Sequence, residues 1–211
     1  MNKNKVCRAV IKLMFLSLPL VALTATAHAK EQYIGHAEGK GCAKCHEDQY
    51  KSWLETSHGK AMENLKAGVK KEEKIKAKLD PAKDYSNDKK CLSCHTTGFD
   101  NGGYDRRSRL KKALFESVGC EACHGAGGSY MAVKEKYPEN DFPRKDAEAA
   151  GLKFGEKELC ENCHTHKDNP FTPAVDPKYK FDYQKTLKEG THKHIKQKKH
   201  TIRKGSEWLY E

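Results

Sequence analysis

Apolar residues recur along this chain at helical rather than alternating intervals, apart from one nearly unbroken apolar run, Leu13 to Leu23, near its start. Over Glu47 to Leu79, the residues Trp53, Ala61, Met62, Leu65 and Val69 form an approximate helical stripe, which predicts a helix that Pro81 ends or interrupts. Within it, Lys70-Lys71-Glu72-Glu73-Lys74-Ile75-Lys76 reads as a charged, solvated face. Ala147 to Leu159 and the lysine-rich Tyr183 to His200 also carry helical patterns. Gly98, Gly102 and Gly103 mark a turn, Tyr137 to Pro143 a polar loop, and Asn169 to Pro177, with its prolines, an extended segment. No convincing alternating strand is present. The expected fold is mostly α with long loops.

The apolar run is too short to span a bilayer. Lys3, Lys5, Arg8 and Lys12 precede it with no acidic residue among them, and Ala27-His28-Ala29 is a small-residue cleavage site before Lys30. Residues 1–29 therefore read as a secretory signal peptide that is removed, leaving 30–211 as the mature domain. Neighbouring arginines are absent, which argues against a twin-arginine route, and Cys7 precedes the apolar run, where a lipoprotein anchor would not sit. No later stretch approaches 18 consecutive apolar residues, so the mature chain is expected to be soluble, without stable membrane insertion.

Of nine cysteines, Cys7 lies in the leader. The other eight fall into four Cys-x-x-Cys-His motifs, built on Cys42, Cys45 and His46; Cys91, Cys94 and His95; Cys120, Cys123 and His124; and Cys160, Cys163 and His164. Each is a c-type haem attachment signature: two thiols add across the two vinyl groups of one haem, and the adjacent imidazole becomes the proximal iron ligand. An exported chain rich in cysteine could instead be a disulfide scaffold, and paired Cys-x-x-Cys units could build two zinc sites. Neither requires a histidine directly after every pair. The reading is four covalently bound haem c groups, with His46, His95, His124 and His164 as proximal ligands, in a protein that moves electrons.

Composition sharpens this picture. A mean hydropathy of −0.90 and 33% charged residues approach the range of disordered chains. Four macrocycles resolve the conflict by serving as the apolar core of a single compact multihaem domain. The motifs begin at 42, 91, 120 and 160, intervals too unequal for a tandem repeat. The formal charge of +11 falls to +7 without the leader, and haem propionates offset it further, so a nucleic-acid partner is a poor account of the basic balance and none is expected. Gly125, Gly127 and Gly128 directly after the third motif suit a backbone passing close to a porphyrin.

The group opposite each proximal histidine decides the chemistry. A second imidazole closes the iron for electron transfer, methionine raises its potential, and an open position permits ligand binding. The remaining mature histidines are His36, His58, His166, His192, His194 and His200. His58, one helix beyond the first motif, can reach a haem other than that of His46. His192 and His194 straddle opposite sides of any local element, so one of the two is a ligand. His166 is too close to His164 to reach the far face of the same haem, and His200 lies in a lysine-rich tail that reads as solvated.

Ser52-Trp53, Thr56-Ser57-His58-Gly59-Lys60-Ala61-Met62, Lys78-Leu79-Asp80-Pro81-Ala82-Lys83-Asp84-Tyr85, Gly119-Cys120-Glu121-Ala122-Cys123-His124-Gly125, Phe142-Pro143-Arg144-Lys145-Asp146 and Pro170-Phe171-Thr172-Pro173-Ala174-Val175-Asp176 together resemble the tetrahaem cytochrome c-554 family. That resemblance implies a periplasmic carrier that takes electrons from hydroxylamine oxidoreductase or a similar periplasmic oxidoreductase and passes them to an acceptor. It implies that His46 pairs with His192, that His124 pairs with His58, and that the haem on His95 lacks a distal protein ligand, its open face crowded by Asn169, Pro170 and Phe171. The family supplies the fourth distal ligand from a histidine after the third motif, but Gly125 to Leu159 contains none. Met131, or His36 arriving from another direction or from a neighbouring subunit, is the substitute. Two alternative functions follow from these gaps: reduction of a small molecule such as nitric oxide at the open haem, or assembly into a haem filament. The basic run Lys193 to Lys204 is a candidate docking patch for an acidic redox partner.

Overall fold

A computed structural model describes residues 32–38, 41–134, 136–137 and 143–193, with the backbone alone of 134, 200–202 and 208–210. The leader, His194, most of the basic C-terminal run and much of the polar loop before Pro143 lie outside these residues. The fold is mostly helical and forms a single multihaem domain. Its helices are α1 (Glu47–Leu54), α2 (Lys71–Lys76), α3 (Lys89–His95), α4 (Arg109–Phe115), α5 (Cys120–His124), α6 (Gly127–Lys134), α7 (Arg144–Ala149), α8 (Lys157–His164) and α9 (Tyr183–Glu189). Single 3-10 turns span Gly41–Lys44, Glu63–Leu65 and Pro177–Tyr179. Among the described residues, β1 (His200–Ile202) and β2 (Trp208–Tyr210) form a small antiparallel ladder, so the expected Tyr183–His200 helix does not run to His200. Gly190 closes α9 instead.

The long helix expected over Glu47–Leu79 is broken. α1 stops at Leu54 because Thr56 folds the chain back. Its hydroxyl donates to the Trp53 carbonyl (2.7 Å) and accepts from the Gly59 amide (3.1 Å). Such side-chain bonds offer the backbone an alternative to the helix ladder. A Cβ at Gly59 would lie 2.4 Å from the Trp53 carbonyl oxygen, so only glycine permits this reversal. Trp53 is still buried from α1, and Ala61, Met62 and Leu65 from turns. The Ala147–Leu159 pattern splits in the same way, since Gly151 and Gly155 take positive φ between α7 and α8. The glycine turn after the second motif forms as expected, with the Gly103 amide on the Gly98 carbonyl (3.0 Å).

Only ten hydrophobic residues are buried among the described residues, a core too small for a chain of this length. Met62, Leu65, Tyr85, Leu92, Tyr104 and Phe115 form one cluster behind α3. Direct helix-on-helix packing is sparse, α6 on α7 being the main instance. Helices of eight residues or fewer are not stable in isolation, so most of the interior must come from something other than side chains. Asp88 and Ser108 cap α3 and α4. The Arg106 guanidinium donates to the Asn87 carbonyl (3.0 Å) just before α3, and Thr96 bridges Glu116 just after the two helices end. α3 and α4 thus start near one another and finish on a common bridge.

Candidate haem centres

Three motifs end a helix with their histidine: His95 on α3, His124 on α5 and His164 on α8. The first occupies the Gly41–Lys44 turn, with His46 directly before α1. On a helix, cysteines three apart share one face, so both sulfurs of a pair point the same way. All eight thiols are half-buried and none forms a disulfide. Among the described residues, no group of three or more His, Cys, Asp or Glu is placed to hold a bare metal ion.

The sulfurs bring the motifs into a file. Cys42 shares a hydrogen bond with Cys120, which together with burial pushes the Cys42 thiol well up. Cys94 shares one with Cys163, which draws the Cys94 thiol down to about 6. Burial, aided by the nearby Cys160, raises the Cys123 thiol to about 11. The spatial order is therefore first, third, fourth, second, which differs from the order along the chain.

The imidazoles form two pairs. His58 and His164 have ring centroids 5.9 Å apart, and His124 and His192 have theirs 6.2 Å apart. These separations suit one metal atom held between two ring nitrogens at about 2 Å from each. The Nδ1–H of three of these rings, and that of His95, is committed to a backbone carbonyl: His58 to Gly190 (2.8 Å), His124 to Lys153 (2.8 Å), His192 to Lys193 (2.9 Å) and His95 to Ala61 (2.7 Å). That bond fixes the tautomer with its lone pair on Nε2, the arrangement metal-binding histidines adopt. Burial lowers the pKa of His58, His95 and His164, which keeps the rings neutral and able to coordinate. The residues present therefore fit iron porphyrin.

These pairs are not those implied by resemblance. His58 stands by His164 rather than His124, and His192 by His124 rather than His46. The reversal at Thr56–Gly59 is the cause. It carries His58 away from the α1 axis, so that its ring reaches Gly190 at the end of α9 and its carbonyl accepts the Val118 amide (3.2 Å). The chain after α9 then returns to α1, where the Lys193 amide donates to Ser52 (3.0 Å).

His36 lies inside, 5% exposed, edge-on to Trp53 at 4.6 Å. Its Nδ1 is turned onto Gly119, where a Cβ would sit 2.3 Å away. A ring so enclosed is not presented to a neighbouring subunit. Met131 sits on α6 at 38% exposure. His166 is exposed and accepts from the Asp168 amide (3.2 Å). Asn169 hangs the loop after the fourth motif onto the end of α8 through the Cys163 and His164 carbonyls (3.4 and 3.2 Å), and Phe171 packs edge-on to Tyr179. The three glycines after His124 are closed upon by protein: Gly125 by the Gly151 carbonyl, Gly127 by Ile34 and Gly128 by Gln32.

Two positioning features had no sequence reading. Glu121, inside the third motif, is 3% exposed and accepts the amides of Ile34 (2.9 Å), Gly35 (2.8 Å) and Gly127 (2.6 Å). It clamps the N-terminal segment onto α5. Phe181 stacks on His164 at 5.1 Å. A carboxylate between two haem-linking cysteines was the available signal for the first; the second had none.

Known proteins resemble this chain over most of its length. Residues 41–125 match the family described as cytochrome c554 and c-prime. Cytochrome c-554 of Nitrosomonas europaea is 42% identical over 177 residues, which cover 74% of each chain. The structure of cytochrome c554 from Nitrosomonas europaea in its reduced state superposes with a TM-score of 0.69 at 37% identity, over 85% of this chain and 93% of that one.

Proposed function

The chain belongs to the cytochrome c-554 family, and from that premise we propose that it is an exported periplasmic carrier that relays electrons between redox proteins. It carries four haem c groups. When bound, each supplies a one-electron ferric–ferrous couple. The chain's own task is to space and orient the four attachment points. Cys42, Cys45, Cys91, Cys94, Cys120, Cys123, Cys160 and Cys163 are the covalent anchors, with His46, His95, His124 and His164 as proximal ligands. His58 serves as the distal ligand opposite His164, and His192 opposite His124. Carbonyls of Gly190, Ala61, Lys153 and Lys193 hold the rings in the coordinating tautomer.

The observation that carries this reading is the pairing of imidazoles from separate segments, His58 with His164 and His124 with His192, beside motifs whose sulfurs lie near one another. Neighbouring motifs suit a relay; a lone reaction site would not need them. Donor and acceptor are periplasmic redox proteins, the donor resembling hydroxylamine oxidoreductase. Anaerobic reductive titration of the holo-protein tests the reading. Uptake of four electrons, all returned quickly to an added oxidant, is the expected result. Haems that cannot be reduced, or that exchange no electrons with each other, would overturn it.

His95 favours a second reading at one centre. The family resemblance leaves the haem on His95 without a distal protein ligand, as a site for a small ligand such as nitric oxide would require. The sequence offers no obvious distal acid–base pair for this haem, so relay is the better account.

A further inference from the structure

Resting on the carrier reading, we propose that α3 and α4 present a basic docking face to an acidic redox protein, placing electron exchange at the second motif. The face comprises Lys89 and Lys90 on α3, with Arg106, Arg109 and Lys112 around Leu110 on and before α4. All five cations are exposed, and Leu110 is 64% exposed. The Arg106–Asn87 bond draws the two helix starts together, and the Thr96–Glu116 bridge joins their ends.

Three observations converge on this face. α3 itself carries Cys91, Cys94 and His95, so a partner seated on this face lies against the second haem attachment. An exposed leucine ringed by cations has the form of a transient redox interface, an apolar centre with a charged rim. Finally, the charges oppose the fold. Neither α3 nor α4 has an acidic residue in its first turn, and lysine or arginine stands there instead. Positive charge at a helix start works against the helix dipole. At α3 the Asp88 cap offsets part of this, whereas at α4 Asp105 is engaged by Arg107 at 3.2 Å. None of Lys89, Lys90, Arg109 and Lys112 is ion-paired among the described residues. Residues placed against local stability mark a surface kept for another purpose.

The test uses the holo-protein and, as probe, a reduced plant-type ferredoxin, a small acidic one-electron donor. Stopped-flow rates are compared for wild type, the Lys89→Glu/Arg109→Glu variant, and a charge-matched control, Lys145→Glu/Lys188→Glu, on exposed positions elsewhere. At low salt the docking variant should slow by about tenfold and the control by less than about twofold, the difference fading at high salt. Thermal stability of the docking variant should hold or rise, because carboxylates suit those helix starts. Equal slowing in both variants, or none in the docking variant, would overturn the docking face and leave the carrier reading intact. A wild-type protein that dithionite reduces but ferredoxin does not would overturn the docking face alone, and one that neither reduces would overturn both.

Discussion

The imidazole of His58 stands 5.9 Å from that of His164, while its Nδ1–H is held 2.8 Å from the Gly190 carbonyl. His58→Ala should therefore convert one low-spin ferric centre to high-spin without loss of any haem. His192→Ala should do the same at a different centre, and the double variant should show the sum, as expected for independent sites. Electron paramagnetic resonance, with haem content checked by pyridine haemochrome, makes the measurement. A His58→Ala protein whose low-spin count equals that of wild type would contradict the pairing.

The resemblance leaves the haem on His95 open, so the wild-type spectrum should already contain a high-spin signal from it. Nitric oxide should perturb that signal and leave the paired centres unchanged. Four low-spin centres would show that a ligand closes this iron and would remove the reductase alternative.

Glu121 joins the third motif to the N-terminal segment through three backbone amides. Glu121→Ala leaves those buried donors unpaired and should cost about 3 kcal/mol. For a domain of this size that lowers the thermal midpoint by roughly 6–12 °C. Glu121→Gln, which keeps a carbonyl acceptor, should lose less. Equal midpoints for wild type and Glu121→Ala would contradict the clamp.

Burial pushes the pKa of His36 down to about 4 from 6.5, against a smaller opposing effect of the Glu116 carbonyl. The unfolded chain therefore binds this proton more readily than the folded one. The group's contribution is complete above pH 6.5 and is lost as pH falls towards 4, where the loss approaches about 3 kcal/mol. Thermal midpoints of His36→Gln should decline less steeply than wild type across that interval. Parallel curves would contradict the neutral, enclosed ring.

The helical class and the four attachment motifs were legible in the sequence because both are local. A Cys-x-x-Cys-His unit needs no distant residue to be recognised, and a hydropathy this low calls for a core that side chains do not supply. Ligand pairing was not legible. Whether His58 meets His124 or His164 depends on how Thr56 and Gly59 turn the chain, and a stripe of apolar residues reads the same through a helix as through a series of turns. Gly68 and Lys70, both at positive φ ahead of α2, broke the same stripe again. Glu121 was hidden for a related reason, since its three partners are backbone amides, which carry no side-chain signature. The docking face lay unread because the Arg106–Asn87 tie and the Thr96–Glu116 bridge that join α3 to α4 leave no pattern in the sequence.

Intact mass of the protein, exported by a host able to attach haem to cysteine pairs, tests the central claim most directly. The expected mass is that of residues 30–211 plus four haems. A mature polypeptide carrying three or fewer would contradict the account, because the file of sulfurs would then be broken.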